Sequence, residues 1–112
     1  MKKEPYRDYA TAAIIAWSAA GCPSAEESRK RFRGAEYADM AACARAFDNI
    51  RLTLPDACTA ALLIYVPGRM GKGELTGRVV RFAMEHYLSE RQVWDRLAKV
   101  RKEFAKERGL RV

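Results

Sequence analysis

A chain of 112 residues, 49% of them hydrophobic, is sized for one small domain with a real core rather than for several. The net charge of +7 is lopsided: residues 1–68 carry nine Lys or Arg against eight acids, +1, while residues 69–112 carry twelve against six, +6. A positive field concentrated in one part of a chain attracts polyanions and speeds encounter with them. A small acidic ligand would need only one or two fixed charges.

Residues 6–20 form the first predicted helix, with Pro5 acceptable near its first turn. Tyr9, Ala13, Ala16, Trp17 and Ala20 mark one face, but Ala12, Ile14 and Ile15 make it apolar nearly all round. Such a helix is expected to be buried on more than one side. Its apolar run is too short to span a bilayer. Lys2, Lys3, the Ala/Ile run and Cys22 imitate a lipoprotein leader. Glu4 and Asp8, the polar Thr11 and Ser18, and Pro23 straight after the cysteine argue instead for a core helix ended by Gly21. The expectation is a cytoplasmic protein with no membrane partner.

Ser24 and Glu27 then make a capping box for a short second helix. Glu26 and Glu27 suit the positive end of its dipole, and Arg29, Lys30, Arg31 and Arg33 suit the other end. That pattern is good helix electrostatics and need not be a binding patch. Gly34 separates it from a third helix over 35–51, where Tyr37, Met40, Ala41, Ala44, Phe47 and Ile50 keep core spacing. A turn over 52–56 places Pro55 at a first helical position. The fourth helix follows to residue 66, with Ala57, Ala60, Ala61, Leu62, Ile64 and Tyr65 apolar.

Residues 67–73 are the one clear loop, containing Pro67, Gly68, Arg69, Gly71, Lys72 and Gly73. It is not a phosphate loop: the glycine spacing is wrong, no Ser or Thr follows Lys72, and no strand precedes it. The three cysteines, Cys22, Cys43 and Cys58, form no CxxC, and His86 is the single histidine. They make a poor zinc set and a poor disulfide framework, so buried reduced thiols and no cofactor are expected.

Two helices joined by a tight break close the chain. The fifth starts at Glu74 and carries Val79, Val80, Phe82, Ala83 and Tyr87 inward. The sixth opens at Ser89, an N-cap residue, with Gln92 at the capping-box return position. Val93, Leu97, Val100 and Phe104 form a stripe roughly 60° wide, and Gly109 ends the helix. Trp94 lies about 100° from the stripe centre and is expected to pack on the first or fourth helix. A basic helix joined tightly to an amphipathic one is the layout of a helix-turn-helix, whose second helix enters the major groove.

The opposite face of the sixth helix carries Arg91, Asp95 and Lys102, flanked by Gln92, Ala98, Lys99 and Lys106. Arg and Gln can make bidentate bonds to base edges. Lys99, Lys102 and Lys106 suit phosphates, which position without specifying. Arg96 leans toward the buried side and is the weakest phosphate contact, and Lys72 stands in a loop that could meet one more. A solvated surface face is the plain alternative for the same pattern.

The segment RVVRFAMEHYLSERQVWDRLAKVRKEFAKERGL, residues 78–110, resembles the C-terminal region of small bacterial and prophage transcriptional regulators of the ArpU/RinA kind. These are similar to the region of sigma factors that reads the −35 promoter element. The closest stretch is SERQVW, where Gln92 stands in place of the family's usual Thr, and AKERGL adds to it. The resemblance covers about a third of the chain. It implies that Ser89, Glu90, Arg91 and Gln92 stand where a recognition helix approaches DNA.

The sequence therefore predicts an all-α protein of about six helices. An N-terminal part, 1–54, would support a helix-turn-helix part, 55–112. Its function would be sequence-specific binding of double-stranded DNA to regulate transcription, without catalysis, in a phage or mobile element. Base contacts fall to Ser89, Glu90, Arg91, Gln92 and Asp95, and phosphate contacts to Lys72, Arg96, Lys99, Lys102 and Lys106. A homodimer would suit paired half-sites, with the first helix at its interface. Two rivals remain: an interaction module docking on RNA polymerase or a phage assembly protein, and a small enzyme using a cysteine with His86.

Overall fold

The computed structural model describes residues 4–68 and 70–111, and those residues form six helices and no strand. They are α1 (Arg7–Ala19), α2 (Ala25–Arg31), α3 (Gly34–Thr53), α4 (Pro55–Ile64), α5 (Glu74–Glu85) and α6 (Glu90–Arg108). The all-α expectation holds. Lys2 and Lys3 of the leader-like segment, and Arg69 of the loop, lie outside the described residues.

Local chemistry fixes most of the helix ends. At the end of α1, Gly21 (φ 91) and Cys22 (φ 53) take left-handed geometry. Their amides donate back to the carbonyls of Ser18 and Trp17 at 3.0 Å each, a Schellman closure. The Ser24 hydroxyl accepts from the Glu27 amide at 3.1 Å and starts α2. Only half of the expected box forms there, because the Glu27 carboxylate meets the Ser24 hydroxyl rather than its amide. The turn expected over 52–56 is a single-residue joint. Helix α3 runs on through Thr53, and Leu54 alone (φ −137, ψ 63) separates it from α4. Pro55 sterically bars its predecessor from helical geometry, which is enough to break the rod. Helix α4 stops at Ile64, short of the expected 66, as the Val66 and Gly68 amides turn back to Ala61 and Tyr65.

One cluster of buried apolar side chains draws on α1, α3, α4, α5 and α6. Helix α6 is its axis, packing against α1, α3, α4 and α5. Val93, Leu97, Val100 and Phe104 are fully buried, as their spacing predicts. Each such side chain contributes about 1.5–3 kcal/mol when removed from water. Helix α2 lies on α3.

The expected face of α1 is displaced. Ala10, Ala13, Ile14 and Trp17 are buried, whereas Tyr9, Ala12 and Ala16 are exposed and Ala20 is half-buried. Among the described helices α1 packs on α3 and α6, so the side turned to them is chosen from a nearly uniform apolar surface. Trp17 fixes that choice. Its ring stacks on Phe47 at 4.7 Å, and its Nε1–H donates to the Pro23 carbonyl at 2.9 Å. Among the described residues no helix is long and apolar enough to cross a membrane.

Candidate nucleic-acid interface

Helix α5 is anchored at its start by Glu74. Its carboxylate accepts from the Gly71 amide at 3.2 Å and pairs with Arg78. Those two contacts, the amide first, hold its pKa below the usual carboxylate range. Arg78 also donates to the Ile64 carbonyl at 2.9 Å, tying α5 to the end of α4. Val79, Phe82 and Ala83 face the core as expected, Val80 is half-buried, and the His86 ring stacks on Phe82 at 4.0 Å.

Tyr87 does not join them. It is 96% exposed, and its backbone is left-handed at φ 56. The helix has already ended at Glu85, and the Leu88 amide folds back to the Ala83 carbonyl at 2.9 Å. Tyr87 holds the position in this closure that glycine usually fills. The chain reverses within a few residues and enters α6, and α4, α5 and α6 pack on one another while α6 also packs on α1 and α3.

Both bonds of the predicted capping box are present at Ser89. Its hydroxyl accepts from the Gln92 amide at 3.1 Å, and its own amide donates to Gln92 Oε1 at 2.9 Å. Ser89 and Gln92 therefore shape the helix start while remaining at the surface. Glu90 is also exposed and sits in the first turn, where an acid complements the dipole.

Beyond that start, α6 sorts its charges by side. Arg91, Gln92, Asp95, Lys99, Lys102 and Lys106 are all exposed. At ~100° per residue they share a sector about 100° wide. Arg91 and Lys106 are separated by about 22 Å along the axis. None of the charged members makes an ion pair among the described residues. Apart from Glu90 in the first turn, the other charges of α6 are drawn inward. Glu107 pairs with Arg45 at 3.0 Å, and Asn49 donates to both Glu107 and Glu103. Arg108 pairs with Asp39 at 2.8 Å, and the same carboxylate oxygen accepts from the Tyr9 hydroxyl at 2.6 Å. Arg96 is half-buried and reaches Asp56 of α4 at 3.8 Å, so it stands apart from the outward sector. The acids of the C-terminal half thus face α3, while the lysines face solvent.

Arg101 was not anticipated. It is 3% exposed, on a helix otherwise notable for outward cations. Its Nε and Nη2 donate to the two oxygens of Glu4 at 3.0 and 2.9 Å, and its Nη1 donates to the Tyr65 hydroxyl at 2.9 Å. Burial opposes the charge, yet Glu4 and Tyr65 outweigh that penalty and raise the guanidinium pKa. The triad joins the start of the chain, the end of α4 and α6. Trp94 is half-buried against the core, with the Arg7 guanidinium 5.7 Å above its ring, so it belongs to the α1 side of the fold.

Lys72 is exposed just before α5. Twelve helical residues, about 18 Å, separate it from the α5–α6 turn. It is not brought together with the residues at the start of α6. Arg81 is a further exposed cation, on α5. Burial raises the pKa of all three thiols, Cys22, Cys43 and Cys58, the opposite direction to an activated thiolate. No cluster of metal-ligating side chains occurs among the described residues. No protein-family model, curated protein or solved structure matches the chain.

Proposed function

We propose that this protein binds double-stranded DNA in a sequence-dependent way and regulates transcription, in the manner of the phage and mobile-element regulators that residues 78–110 resemble. Helix α6 lies in the major groove with Arg91 and Gln92 toward base edges and Lys99, Lys102 and Lys106 toward phosphates. The observation that carries this reading is the sorting of charge on α6. Glu103 and Glu107 turn toward α3, and Arg91, Lys99, Lys102 and Lys106 are left outward without ion pairs among the described residues. A helix that merely needed solubility gains nothing from tying its acids away from its lysines. A major groove about 12 Å wide admits one helix, and its walls are phosphates.

The test is binding to random duplex DNA over a salt series. Each neutralised phosphate contributes a slope near −0.9 in log affinity against log salt, so the three lysines predict a slope of roughly −3. A slope near zero, or no binding at low salt, refutes the reading. Binding to an acidic protein such as an RNA polymerase subunit in place of DNA would identify the partner instead.

A further inference from the structure

Asp95 is the exception on the outward face of α6. It is exposed, one helical turn from both Arg91 and Lys99, and within about 20° of Lys102 and Lys106 around the axis. Opposite charges four residues apart on a helix commonly pair for a few tenths of a kcal/mol. Asp95 pairs with neither neighbour among the described residues. Nor is it drawn to α3 as Glu103 and Glu107 are. A carboxylate in the middle of a surface that meets phosphates weakens binding to every sequence alike. Its presence there is explained by a contact that only some sequences offer.

We propose that Asp95 is a specificity-determining residue that accepts a hydrogen bond from the exocyclic amine of a cytosine in the major groove, a reading that rests on the DNA-binding function above. A carboxylate offers acceptors and no donor. In the major groove guanine presents two acceptors and thymine presents one, and both repel it. Adenine presents its amine beside the N7 acceptor, which opposes a carboxylate drawn close. Cytosine presents the amine without an adjacent acceptor and suits it best. Arg91, one turn earlier, matches the paired acceptors of guanine. The two side chains are about 6 Å apart along the helix, close to two base steps of ~3.4 Å. The preferred site therefore holds a guanine and a cytosine about two steps apart under the first two turns of α6.

Selection from a random duplex pool with the wild-type chain, Asp95→Asn and Asp95→Ala tests this. An amide pairs with adenine through one donor and one acceptor. The wild type should fix cytosine at one position, Asp95→Asn should move that position to adenine, and Asp95→Ala should leave it open, with all other positions unchanged. Asp95→Ala should also bind random DNA more tightly, because a repelling charge is gone. Replacing the selected cytosine by 2-pyrimidinone, which lacks the amine, should weaken wild-type binding roughly 5- to 150-fold and leave Asp95→Ala unaffected. Identical preferences in all three proteins overturn the assignment of Asp95 while leaving DNA binding intact. A wild type that binds duplex DNA without selecting any sequence overturns the assignment and the sequence dependence proposed above, leaving only non-specific DNA binding. A wild type that binds no duplex overturns both.

Discussion

Arg101 offers the sharpest test of how α6 is held. Replacing it by Ala removes three hydrogen bonds at once and leaves the Glu4 carboxylate and the fully buried Tyr65 hydroxyl without their guanidinium partner. Breaking a buried ion pair from one side costs about 3–5 kcal/mol. The Glu4 side chain is 20% exposed, so water reaches it and the lower figure, about 3 kcal/mol, applies. At roughly 4 °C per kcal/mol for a domain of this size, the melting temperature should fall by about 12 °C. Thermal and urea unfolding followed by circular dichroism would measure it. The companion variant Glu4→Gln/Tyr65→Phe/Arg101→Met replaces the triad by uncharged groups of similar shape and should recover most of the loss. Its salt slope for DNA should match the wild type, since Arg101 is sealed away from the outward face. A loss under about 1 kcal/mol for Arg101→Ala, or a companion variant as unstable as the single one, would refute the triad as a clasp.

The remaining predictions concern the outward face, the turn and the thiols. Arg91→Ala should reduce affinity for a selected site by about 1–3 kcal/mol more than for random DNA, measured by fluorescence anisotropy. Equal losses would make it a phosphate contact. Lys102→Ala should weaken all sequences alike and flatten the salt slope by about one unit, and an unchanged slope would remove it from the interface. Tyr87→Gly should raise unfolding stability by up to ~1 kcal/mol, because relief of left-handed strain exceeds the entropy that glycine adds to the unfolded chain. A clear destabilisation would mean that the tyrosine ring makes a contact that outweighs the strain. Alkylation of Cys22, Cys43 and Cys58 at neutral pH should be slower than for a free thiol, since burial raises all three. A single fast thiol would contradict that burial.

What the sequence made legible was what neighbouring residues decide. The Ser89–Gln92 box, the Gly21 and Gly109 helix stops and the Val93–Leu97–Val100–Phe104 stripe depend on residues a few positions apart, and all are present. The outward sector of α6 follows from that stripe by geometry alone. Arg101 was missed because it lies about 70° from the stripe centre and its partner, Glu4, is 97 positions away. The face of α1 was misjudged because an Ala/Ile surface carries little angular information, and Trp17 decides it through Phe47 and Pro23. Tyr87 would have stayed inward had α5 continued by one more turn. Its fate depended on where that helix stopped, which a pattern of apolar residues marks only loosely.

The capping bond at the head of α6 limits what Gln92 can do at a base. Oε1 already accepts from the Ser89 amide, so the NH2 end is wholly free while the oxygen keeps a single spare lone pair. A glutamine in that state offers its donor freely to guanine or thymine, whose edges present acceptors, and clasps adenine only where the spare lone pair of Oε1 meets the amine. Any other orientation on adenine releases the Ser89 amide and loosens the first turn, at a cost near 1 kcal/mol. Tightness of the helix start and choice of base are therefore exchanged against each other through one side chain.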